Sequence, residues 1–81
     1  MPQNEVVIPL HQSLKGQRMR IQALPSGPIR SYLIRLGLNE GDQIECLERL
    51  PGGTIVVEKN RQQIAIGYRL AKQILVLSVG G

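Results

Sequence analysis

Few side chains in this sequence could carry chemistry, and they are scattered. One imidazole, His11, lies in a polar stretch near the start, and one thiol, Cys46, lies mid-chain. A nucleophile needs a base within hydrogen-bond reach, and nothing in the spacing brings these two together. No glycine-rich phosphate loop or paired-carboxylate motif accompanies them. Cys46 alternates with Ile44, the pattern of a small buried hydrophobe rather than a reactive group. The chain is therefore expected to be no enzyme, with no catalytic and no cofactor-binding residues.

A divalent transition metal would draw on His11 and on Asp42, Glu45, Glu48 and Glu58. Glu45 and Glu48 are three apart in a strand pattern, which predicts opposite faces. No two of these residues share a ligand spacing, so no metal residues and no cofactor are expected. A weak surface divalent ion is the most this supply allows. The sharper candidate is a contact surface. Arg30, Ile34 and Arg35 lie opposite the apolar stripe of a short helix, with Ile34 about 140° from Ile29. An exposed aliphatic flanked by arginines suits a protein contact, since interfaces favour Arg. Single exposed aliphatics are also ordinary on any surface.

The elements that hold these residues can be read from periodicity. Val6 to Pro9 reads as an edge segment, because Pro9 cannot donate to a ladder, and Leu10 to Leu14 as one helical turn. Gln17 to Leu24 alternates, with Met19, Ile21 and Ala23 inward, as a half-buried strand. After the Pro25-Ser26-Gly27 turn, Pro28 suits the first helical position. Ile29, Tyr32, Leu33 and Leu36 then make one apolar stripe. Gly37 supplies a left-handed stop, with Leu38 folding back onto Leu33 in a Schellman ending. Asn39 to Asp42 is a turn. Gln43 to Leu50, Thr54 to Lys59 and Gln62 to Ile66 form a strand meander, turning at Pro51-Gly52-Gly53 and Asn60-Arg61. Gly67 to Lys72 is at most one helical turn, Ile74 to Leu77 a buried strand, and Ser78 to Gly81 a tail. Short strands with tight turns need closure to hide their edges, so a small barrel is expected.

At 81 residues the chain has room for one domain, 1–81, with a core at about 8–77 and tails at 1–5 and 78–81. The apolar residues are aliphatic, with no Phe and no Trp, which disfavours surfaces for stacking bases or sugars. A lone cysteine forms no internal disulfide, and Met1 to Glu5 is too polar for a leader. The apolar runs at Val6 to Ile8 and Ile74 to Leu77 fall far short of the roughly 18 residues of a membrane span. A soluble, reduced, cytoplasmic protein is expected. The net charge of +4 would attract nucleic acid, anionic lipid or an acidic protein without choosing among them.

Laid end to end, these elements resemble the FeoA family. The resemblance rests on Leu14-Lys15-Gly16, the Ile21 strand, and Ile29 to Leu38. It continues through Gly41-Asp42-Gln43-Ile44, Pro51 to Ile55, Ile64-Ala65-Ile66 and Ala71 to Val76. Glu40 stands where that family usually carries proline, and the Pro51-Gly52-Gly53 turn is shorter than the common form. The resemblance implies a mainly β fold with short helices (α+β). Its form would be an SH3-like small β-barrel with one two-turn helix inserted between strands 1 and 2. It also implies a non-enzymatic cytosolic accessory of bacterial ferrous-iron uptake. The implied partner is the cytosolic GTPase domain of a ferrous iron permease, with the membrane involved only indirectly, nucleic acid disfavoured, and weak homo-oligomerisation left open.

Two alternatives compete. Leu24-Pro25, Ile29-Arg30 and Leu36 to Asp42 also resemble AbrB-type swapped-hairpin DNA-binding regulators, although Arg30 stands about one helical turn too far from the Leu-Gly-Leu step. A related version is the barrel appended to iron-dependent repressors. The Gly80-Gly81 ending resembles diglycine-terminated sulfur carriers, whose fold needs an N-terminal hairpin before a longer helix.

Overall fold

Alternating apolar residues build the strands, and a switch to helical spacing at Ile29 interrupts them once. The computed structural model describes residues 6–79. Its strands are β1 (Val7–Pro9), β2 (Arg18–Ala23), β3 (Gln43–Arg49), β4 (Ile55–Lys59), β5 (Gln62–Ile66) and β6 (Leu75–Ser78). Helices α1 (Pro28–Leu36) and α2 (Tyr68–Ala71) and a 3-10 turn at Leu10–Gln12 fill the connections. All pairings are antiparallel, in the order β1-β6-β2-β3-β4-β5.

The inward residues of five strands meet in one core: Met19 and Ile21, Ile44 and Cys46, Ile55 and Val57, Ile64 and Ile66, and Val76. Leu10, Leu24, Leu33, Leu38, Ala71 and Ile74 from the connections complete it. Register shifts at Ile21/Ala23 and Cys46/Glu48 mark the bulges that bend such a sheet onto itself. The result is the expected mainly β, SH3-like small barrel with short helices, except that the sheet does not close by pairing: β1 and β5 remain its two edges.

Several expectations need correction. The helix lies between the second and third strands, because Val7–Pro9 is itself a strand paired with β6, Val7 opposite Leu77 and Pro9 opposite Leu75. Ser78 is the last residue of β6, and the Val79 N–H reaches the Arg18 carbonyl at 3.2 Å, so these two are not tail. The expected tails at 1–5 and the Gly80-Gly81 ending lie outside the described residues. Glu48 pairs with the outward-facing Val56, so the bulge puts it on the same outer face as Glu45. Residues 64–77, unused in a swapped-hairpin arrangement, here supply most of β5, all of α2 and most of β6. The nine-residue α1 is followed by a meander rather than preceded by a hairpin of a grasp-like sheet.

Candidate functional site

A nine-residue helix is marginal in water and persists only when docked. In α1, Pro28 starts the helix and Leu33 is fully buried, with Ile29 and Leu36 packed beside it. Gly37 at φ 105° ends it, its N–H on the Ile34 carbonyl (2.9 Å) and the Leu38 N–H on the Leu33 carbonyl (3.0 Å). These are the two bonds of the expected Schellman ending, and Leu38 is fully buried beneath it.

The stop is pinned from across the barrel. Lys59 Nζ at the end of β4 donates to the Gly37 carbonyl and pairs with Asp42 Oδ2 at 2.7 Å. Asp42 also accepts the Asn39 N–H at 2.8 Å. Partial burial works against the Asp42 charge, but the Lys59 and Asn39 hydrogen bonds and the Lys59 charge together hold its carboxyl below the ordinary value. A carboxyl depressed on folding stabilises the native state above its unfolded pKa, about 4. That contribution is lost as pH falls through the folded value. Urea midpoints measured from pH 6 to pH 3 are therefore expected to fall, and to fall less steeply in Asp42→Asn. Lys59→Met, which leaves a carbonyl and a carboxylate short of a donor, is expected to cost about 1–3 kcal/mol at neutral pH.

The start of the helix is tied by Arg30. Its Nη1 donates to Glu40 Oε2 at 3.1 Å, and Glu40 also accepts the Leu24 N–H at 3.0 Å. The Arg30 hydrogen bond, then the Leu24 N–H, hold the Glu40 carboxyl below its ordinary range. Glu40 thus joins α1 to the end of β2. The only sequence signal for this role is an acidic residue in a turn where the resembled family carries proline.

Of the three expected contact residues, Arg30 is half-buried and occupied by Glu40, while Ile34 (43% exposed) and Arg35 face solvent. Tyr32, expected in the buried stripe, is 45% exposed. The buried face centres on Ile29, Leu33 and Leu36, which leaves Tyr32 on its rim, where a phenol keeps access to water. The solvent side of α1 therefore presents Tyr32, Ile34 and Arg35, each lifted by a helix fixed at both ends.

The other candidates are not brought together. Cys46 is fully buried in the core, and His11 packs edge-on to Tyr68, with ring centroids 5.4 Å apart. Among the described residues no group of three His, Cys, Asp or Glu could hold a metal ion. Glu48 instead pairs with Lys15 at 3.4 Å. An open concavity of about 880 Å³ beside β2, β3 and β4 is lined by Arg18, Arg61, Glu45 and Glu58, whose charges cancel.

Comparison with known proteins bears on this geometry. The FeoA domain family model matches residues 8–77. A crystal structure described as an iron uptake regulatory protein (FeoA) is 30% identical, covers 90% of this chain and 99% of its own, and has a TM-score of 0.82. The solution structure of iron(II) transport protein A from Clostridium thermocellum is 32% identical over 91% of this chain and 47% of its own, with a TM-score of 0.83. The manganese regulator SloR, 20% identical over 85% of this chain and 33% of its own with a TM-score of 0.76, shares the fold alone. A comparison with curated proteins returns no match.

Proposed function

The chain belongs to the FeoA domain family, and from that membership we propose that it is a non-enzymatic, cytosolic accessory of ferrous-iron transport that works by protein contact. The observation that carries this reading is the family match across residues 8–77, with 30% identity over nearly the whole of a FeoA structure. Its partner on this reading is the GTP-binding cytosolic domain of a ferrous iron permease. The membrane is reached only through that partner. Among the described residues no helix is long and apolar enough to cross a membrane.

The contact is assigned to the solvent side of α1, with Ile34 at its centre and Arg35 beside it. Arg30 contributes mainly by holding the helix to Glu40. Titration calorimetry of this chain against the soluble GTP-binding domain tests the assignment. Binding is expected, and Ile34→Asp and Arg35→Glu are each expected to weaken it about tenfold, some 1.4 kcal/mol, while the fold is kept with a melting temperature lower by only a few degrees, because each puts a negative charge in the last turn of α1. Reversing Arg30 is a poorer probe, since it also releases Glu40. Absence of heat with both nucleotide states of the partner would refute the reading.

A further inference from the structure

The sheet ends in two edges of different character. β1 is three residues long and finishes at Pro9, which has no N–H to offer. β5, the opposite edge, is Gln62-Gln63-Ile64-Ala65-Ile66, paired to β4 in unbroken register. Lys59 and Gln62 close the two-residue Asn60-Arg61 turn, so Gln62, Ile64 and Ile66 direct their main-chain groups to β4. Those of Gln63 and Ala65 point away from the sheet and have no main-chain partner among the described residues. Ile64 and Ile66 are buried while Gln63 and Ala65 are exposed, so the strand is anchored from beneath and open along its side. Edges are ordinarily protected by a charge, a bulge or a proline within the strand. This one has none of them.

Charge sits at its two ends instead. Arg61 precedes the strand and Arg69 follows it in α2; both are exposed and neither forms a salt bridge among the described residues, although Arg61 also borders the concavity that carries Glu45 and Glu58. Arg61 is held at φ 67°, where glycine or asparagine is the cheaper residue. Glu58, opposite Gln63 on β4, keeps the middle of the edge from being strongly positive.

We propose that β5 is a docking edge for an extended segment of a partner protein, added as a seventh strand, with acidic residues where it passes Arg61 and Arg69. Main-chain bonds to Gln63 and Ala65 supply affinity, and the terminal charges select the sequence. A second copy of this chain fits less well. Symmetric antiparallel pairing about Ile64 sets Arg61 of one copy against Gly67 of the other, close in sequence to its Arg69, and both copies carry a charge of +4. The edge is distinct from the α1 contact residues, and the inference does not rest on the iron-transport reading.

The test uses the full chain and a ten-residue peptide alternating valine and threonine, with glutamates at both ends. Amide exchange is followed by NMR. In the free protein the Gln63 and Ala65 amides are expected to exchange rapidly, and saturating peptide is expected to slow them at least tenfold. Arg61→Glu with Arg69→Glu, a lysine-ended peptide, or a peptide N-methylated on alternate residues should each abolish that protection. Ala65→Pro removes only an outward N–H, so it should keep the fold and lose the peptide. Unchanged exchange at millimolar peptide overturns the proposal. So does protection already present in the free protein together with a concentration-dependent dimer by sedimentation, which would make the occupant a second copy.

Discussion

Truncating Leu33 to alanine is expected to lower the unfolding free energy by about 3–5 kcal/mol, the cost of a fully buried leucine whose surroundings cannot close on the cavity. Leu33 is completely inaccessible, and its carbonyl receives the Leu38 N–H that finishes the helix stop. Alanine is the better helix former, so a loss of this size would report docking rather than helix propensity. For a small domain with about 5–10 kcal/mol in total, such a loss removes about a third or more of the stability. Urea unfolding at matched m-value checks it. Two controls bracket the result. Leu33→Met keeps the volume and should cost less than about 1.5 kcal/mol, and Tyr32→Ala, on the half-exposed rim, should cost less still. A Leu33→Ala loss under about 1 kcal/mol would mean that α1 is not held by this side chain. The surface carrying Ile34 and Arg35 would then need another support.

What could be read from the sequence was local, and what could not was set by pairing across the chain. Gly37 after an apolar stripe identifies the helix stop, because both bonds of the Schellman ending lie within six residues. Asn60-Arg61 between alternating segments is a hairpin by the same logic, and both residues take positive φ as it requires. The bulge at Cys46/Glu48 is different. It exists only in the pairing of β3 with β4, so alternation alone put Glu48 on the wrong face. The Arg30–Glu40–Leu24 tie spans three elements, and neither propensity nor period encodes it. Tyr32 fitted the helical period but lies at the rim, since a nine-residue helix buries a narrower face than its apolar count suggests. The β1 edge is legible in the sequence, because Pro9 cannot donate to a ladder, but the opposite edge is not, and the open side of β5 follows from strand order alone.

Replacing Gly53 by alanine is expected to destabilise the domain by about 2–4 kcal/mol, through two separable costs. Gly53 sits at φ 94°, a conformation side chains rarely adopt. A Cβ there would also lie 2.7 Å from Tyr68 Cδ1 and 3.0 Å from Tyr68 Cβ and Cγ. The ring is held by more than its own backbone. His11 meets it edge-on at 5.4 Å, and Lys72 Nζ lies 4.9 Å from its centroid. Movement of Tyr68 would therefore disturb the packing of α2 on the 3-10 turn, whose Leu10 is part of the core. Gly52, at φ 91° with open space around it, isolates the backbone cost, and Gly52→Ala should lose only about 1–2 kcal/mol. The excess at Gly53 belongs to Tyr68, and a double-mutant cycle with Tyr68→Ala should recover most of it as a coupling of about 1–2 kcal/mol. Equal losses at the two glycines, or a cycle that closes additively, would show that the ring yields freely and that this end of the barrel is not locked by the Gly53–Tyr68 contact.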